Sequence, residues 1–181
     1  MAIAGTAVLS ALVVVFDYSL KYSGLKISFP WMPYLKFDFT GAPIVLAALL
    51  FGLTSGATAS AVALLAILAR SGDVTGAAMK ALAEFFTVLG VALGRKLERK
   101  STRLAEVSSA IFGIVFRCAV MLPANLLLFP QTATIVASPL IVAFNAVQGI
   151  ISIAVGYLFY NIVIHKTSFL TLKENQADKK T

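Results

Sequence analysis

The chain has 181 residues, of which 59% are hydrophobic and only 13% charged, with a net charge of +7. Its mean hydropathy of +0.91 excludes a soluble globular enzyme and a nucleic-acid binder, and indicates a single integral membrane domain over residues 1–181. The long apolar runs lack the alternation of a barrel strand, so the spans are expected to be helices, which satisfy every backbone donor and acceptor internally.

The first apolar run predicts a spanning helix over about 2–20. It lacks the basic region and small-residue cleavage site of a signal peptide, so it is expected to be retained. Ala7 and Ala11 stand four apart, with Ala4 and Gly5 a turn earlier. That smooth face admits the close approach of another helix, from this protein or from a partner. From Asp17 to Gly41 the chain is expected to leave the hydrocarbon as one long extracellular loop, carrying Lys21, Lys26, Pro30 and Pro33. Its last part sets Lys36 and Asp38 among Tyr34, Phe37 and Phe39. Such a loop can serve as a lid that offers stacking faces and charged contacts to a small molecule. It can equally anchor the protein at headgroup level through Trp31, Tyr34 and its lysines.

Pro43 suits the first turn of a helix and opens a short predicted helix over 43–52. Gly-Leu-Thr-Ser-Gly at 52–56 supplies turn chemistry, and a third helix follows over 56–70. A fourth, over 76–98, carries Glu84 in its interior and the small pair Gly90 and Gly94. Arg95, Lys96, Arg99, Lys100 and Arg103 then form a basic cluster. The fifth helix, over 104–129, lines up Arg117, Met121 and Asn125 on one face. After a turn at 129–132 the sixth, over 135–165, carries Asn145 and Gln148 three apart. The tail 166–181, with Lys166, Lys173, Lys179 and Lys180, is expected to be frayed and cytoplasmic. Six spans place both termini and the basic cluster on the cytoplasmic side, as the positive-inside rule requires; five would move only the amino terminus.

Glu84, Arg117, Asn125, Asn145 and Gln148 are the polar side chains inside predicted spans. A charge at mid-bilayer costs about 2.5 to 3.5 kcal/mol on insertion scales, so such groups face the bundle interior, pair, or serve a site. The amides can hydrogen-bond a heterocycle edge that offers both donors and acceptors, or can hold helices together; Glu84 can be a ligand contact or the partner of Arg117. No catalytic constellation is present: there is no nucleophile beside a base, and one cysteine, Cys118, and one histidine, His165, leave no metal cluster and call for no cofactor. No phosphate-cradling Gly-rich loop occurs, so any use of ATP must come from a partner chain.

Taken together, these features resemble the substrate-binding S component of an energy-coupling factor (ECF) vitamin transporter, most similar to the riboflavin-specific group. Ala7 and Ala11 match the family's Ala-x-x-x-Ala face. Pro33, Leu35, Lys36 and Asp38, followed by Pro43 and then Phe51-Gly52, match its loop and short second helix. Asn125 and the stretch Asn145 to Gly149 match its late amides, with Gln148 where riboflavin members carry lysine and Glu84 where a neutral side chain is expected. The resemblance implies an all-α, six-transmembrane-helix bundle in a prokaryotic plasma membrane. It implies riboflavin or a close flavin bound by Tyr34, Lys36, Phe37, Asp38, Glu84, Asn125, Asn145 and Gln148. Ala7 and Ala11 would dock on a transmembrane coupling subunit that carries two ATPases. The departures keep open another vitamin or a modified-base precursor, such as pantothenate or a queuosine precursor. A membrane protein with a purely structural role is the alternative outside the family.

Overall fold

A computed structural model of the protein describes residues 2–98 and 102–178. Six helices run back and forth: α1 (Ala2–Tyr22), α2 (Gly41–Phe51), α3 (Leu53–Ser71), α4 (Val74–Leu97), α5 (Thr102–Leu128) and α6 (Gln131–Asp178). Five are long and apolar enough to cross a membrane. The exception, α2, has 11 residues, about 17 Å of helix against a hydrocarbon core of about 30 Å. Nine of those residues are buried, so α2 is the central element and its neighbours wrap it.

The bundle has two unlike ends. At one, Gly5 of α1 abuts Phe51, and Arg95 donates to the Leu49 carbonyl at 3.1 Å and to Tyr160 Oη at 3.4 Å. At the other stand Asp17, the N-terminus of α2, and the corner between α3 and α4. Gly52 alone turns the chain from α2 to α3: its φ of +93° lies in the region that glycine occupies without a Cβ clash. The expected break over 52–56 is therefore one residue long, and Thr54 to Gly56 are already helical. This reversal brings Gly56 against Ala48, where a Cβ would lie only 2.7 Å from the alanine methyl. Gly72 and Asp73 make the next corner, where the Asp73 carboxylate caps α4 by accepting from the Gly76 N–H at 2.9 Å. Gly90 and Gly94 let the backbones of α4 and α5 meet, and Ser108 Oγ donates across to the Gly94 carbonyl at 2.7 Å.

Three expectations need correction. The long loop is shorter and more ordered than expected: α1 continues through Asp17 to Tyr22, and the connection holds an antiparallel hairpin, β1 (Ile27–Phe29) with β2 (Met32–Phe37). The molecule is thus not wholly helical. Asp17 stays in the helix because it is one of an inward stripe, Ser10, Val13, Asp17 and Leu20, and its charge is met by cations there. The last helix begins at Gln131, directly after Pro130, whose carbonyl accepts from the Thr134 N–H at 3.0 Å. It does not fray at Lys166 but continues to Asp178, since 166–178 contains neither Gly nor Pro and is rich in good helix formers. Arg99, Lys100, Lys179 and Lys180 of the expected basic segments lie outside the described residues.

Candidate functional site

The hairpin is held down by aromatic packing. Phe37 stacks on Phe144 of α6 with centroids 4.9 Å apart, and Phe29 meets Phe37 at 5.7 Å and Phe144 at 5.8 Å. Trp31, at the turn, sits edge-on to Phe29 at 5.2 Å. Offset and edge-to-face pairs of this kind are worth about 0.5 to 1.5 kcal/mol each beyond their burial. Just past β2, the Asp38 N–H donates to Gln148 Oε1 at 3.1 Å, and Gln148 Nε2 donates back to the Asp38 carbonyl at 2.8 Å. One amide on α6 therefore fastens the backbone of the hairpin's exit strand as a neighbouring strand would.

A continuous chain of ion pairs runs beneath this latch. Arg70 of α3 meets Asp17 of α1 at 2.7 Å, and Asp17 meets Lys26 at 2.7 Å. Lys26 reaches Asp38 at 3.4 Å, and Asp38 meets Lys80 of α4 at 2.7 Å. Lys80 contacts Glu84 at 3.3 Å, and Glu84 meets Arg117 of α5 at 3.1 Å. Arg117 Nε then donates to Asn145 Oδ1 at 3.2 Å, and its Nη1 to Thr87 Oγ1 at 3.1 Å. Asn145 Nδ2 in turn donates to the Ile141 carbonyl at 2.9 Å. Burial acts to raise the Asp38 pKa, but the charges of Lys80 and Lys26, with the Lys80 and Thr40 hydrogen bonds, outweigh it and hold the group at about 2 against an ordinary 3.8.

Between latch, ion chain and helices lies a cavity of about 540 Å³, within the range that vitamin-sized ligands need. Its apolar wall includes Ile67, Met79, Ala83, Met121, Ile141 and Phe144. Its lining comes from α1, the hairpin and helices α3 to α6, and includes no residue of α2. Tyr34, Lys36, Asp38, Asn125, Asn145 and Gln148 all line it. Phe37 and Glu84 do not: Phe37 is spent on the aromatic anchor, and Glu84 is fully buried behind Lys80 and Arg117. The expected amide trio is also less free than its spacing indicates. Gln148 is committed to Asp38 and Asn145 to Arg117, whereas Asn125 donates to the Met121 carbonyl and its oxygen has no partner among the described residues. Ala7 and Ala11 stand well away from the cavity, exposed on the outer face of α1.

Lys80, Arg70 and Lys26 complete the site without having been predicted for it. Lys80 could have been found, because a Lys four residues before Glu84 on one helix face is a local pair. Nothing local links Asp17 to Arg70, 53 positions away.

No protein-family model matches the chain, and no curated protein matches it by sequence. Among solved structures, the S component of a bacterial ECF transporter is similar, with a TM-score of 0.78 and 24% sequence identity over 92% of this chain and 96% of that one. The protein therefore has the fold of an ECF S component, and the protein it resembles is a transporter subunit rather than an enzyme.

Proposed function

We propose that this protein is the substrate-binding subunit of an ECF-type importer, taking a vitamin from the outer face of a prokaryotic plasma membrane. The observation that carries the reading is the cavity of about 540 Å³ roofed by a hairpin, in a fold that an S component shares. The hairpin end faces outward and the Arg95 end faces the cytoplasm, with both termini inside, as the basic residues Arg95, Lys96 and Arg103 support. Riboflavin or a close flavin is the first ligand to test. Its ring would lie along Phe144 and Met121, with Asn125, Asn145 and Arg117 at its polar edge and Tyr34, Lys36 and Asp38 above. A different vitamin or a modified-base precursor is favoured by one observation: Gln148, the residue expected to read a flavin carbonyl, has both polar atoms engaged by the Asp38 backbone.

The exposed Ala7 and Ala11 would dock on the transmembrane coupling subunit with its two ATPases, since a surface without interlocking side chains suits transient contact. Native mass spectrometry of the purified protein should show one small molecule per chain, and titrated riboflavin should be quenched with one-to-one stoichiometry. Absence of quenching at micromolar protein removes riboflavin. Absence of any bound vitamin, together with no uptake when coupling module and protein are co-expressed, removes the transport reading. Ala7→Trp should abolish uptake and leave binding unchanged.

A further inference from the structure

The charge of the cavity wall bears on what it holds. Six cationic side chains face the space, Lys21, Lys26, Lys36, Arg70, Lys80 and Arg117, against two carboxylates, Asp38 and Asp73. One of these two carboxylates is already paired. Asp38 already holds Lys80 and Lys26, and Asp73 is engaged by the Gly76 N–H at the start of α4.

The cations are in surplus. The ion chain itself contains four of them against Asp17, Asp38 and Glu84. Lys21 and Lys36, exposed at the cavity mouth, make no ion pair among the described residues. At the floor, Arg117 is only 2% exposed; its Nε and Nη1 are taken by Asn145, Glu84 and Thr87, but Nη2 has no partner among the described residues. Because Arg117 lines the cavity, a guanidinium N–H left without an acceptor there can donate to a ligand.

Resting on the reading of this cavity as a ligand site, we propose that it selects an organic anion: a vitamin-sized acid whose carboxylate or phosphate lies among the lysines at the mouth. An acceptor oxygen at its other end would reach Arg117 Nη2. An anion restores neutrality in a confined space where hydrogen bonds to charged groups are roughly twice as strong as neutral ones, and the same field draws it in from solution. A ligand cation meets an excess of charge of its own sign.

Matched pairs that differ only at the acid group separate this inference from the site assignment. Pantothenate with pantothenol, and riboflavin 5′-phosphate with riboflavin, are titrated into the full-length protein in nanodiscs at about 50 and about 500 mM salt. In the pair that binds, the acid should bind at least about tenfold tighter than its neutral partner, a difference of about 1.4 kcal/mol, and high salt should shrink that margin. Which pair binds distinguishes a carboxylate from a phosphate. Lys36→Glu should weaken the acid about tenfold and weaken its neutral partner by a clearly smaller factor. Lys36 makes no ion pair, so the fold does not depend on it, and Lys36→Gln should fall between. Equal affinity within the binding pair, an acid indifferent to Lys36→Glu, or thiamine bound more tightly than every acid would each overturn the inference and leave the ligand site standing. Failure of every probe, with no co-purified molecule, would overturn both.

Discussion

The two ends of this bundle are built from the same helices by opposite means. Around Arg95 the helices approach through glycine and alanine until backbones touch: a Cβ on Gly90 would lie 2.7 Å from the Phe112 carbonyl carbon, and one on Gly94 would lie 2.6 Å from the Ser109 Cα. Around Asp38 they stand apart, and ion pairs bridge the distance. Lipid tails are as apolar as the helices, so close packing rather than hydrophobic burial holds the first end together. Buried ion pairs lose in desolvation much of what they gain by attraction, so the second end gains placement more than stability from them. The lesson is a division of labour: a close-packed base that carries the fold, and an open charged cup whose geometry is set by mutual restraint.

The sharpest way to break that comparison is to crowd the base. Gly90→Leu asks the α5 backbone to yield, since no flexible side chain stands in the way, and it should cost about 3 kcal/mol or more. The monodisperse fraction recovered after detergent extraction should collapse; a well-folded variant that had lost only ligand binding would show that the division is false.

Acid attacks the cup instead. The Asp38 carboxyl is held at about 2 against an ordinary 3.8, so its stabilising contribution is complete above about pH 4 and disappears as pH falls toward 2. The contribution is about 2 kcal/mol. Trp31, the protein's one tryptophan, sits on the hairpin and should report its release by fluorescence over that interval. Asp38→Asn should flatten the titration; a transition that persists in that variant would assign it to another group.

The smallest effect should come from Gln148→Ala, which removes both hydrogen bonds to the Asp38 backbone at a cost of about 1 to 2 kcal/mol. The loss should be confined to the cup, with faster amide exchange at Asp38 and an unchanged melting temperature. A fall in global stability would mean that the latch belongs to the base.

The base was far more legible in the sequence than the cup, for a physical reason. Apolar runs such as those around Val45 and Val88 announce helices by composition alone, and Gly90 with Gly94 announces close packing by spacing. The hairpin left little trace, because β1 is three residues long and β2 contains Pro33, which argues against a strand. Asp17 looked like the exit from hydrocarbon because the cations that hold it, Lys26 and Arg70, come from other segments. Gln148 and Asn145 were legible as polar groups inside a span, but what they bind is set by Asp38 and Arg117, and no spacing encodes that. Glu84 and Arg117 were visible as a possible pair, and only the packing of α4 on α5 brings them together.

The brevity of α2 has a consequence for its place in a bilayer. At 11 residues it covers about half of a hydrocarbon core of about 30 Å, so at least one of its ends falls within that depth. Non-helical backbone there is tolerated only where protein surrounds it, and Asp38, Thr40 and Gly41 at its start are all buried. The five longer helices thus act as the solvent for the sixth and keep lipid away from its first turn.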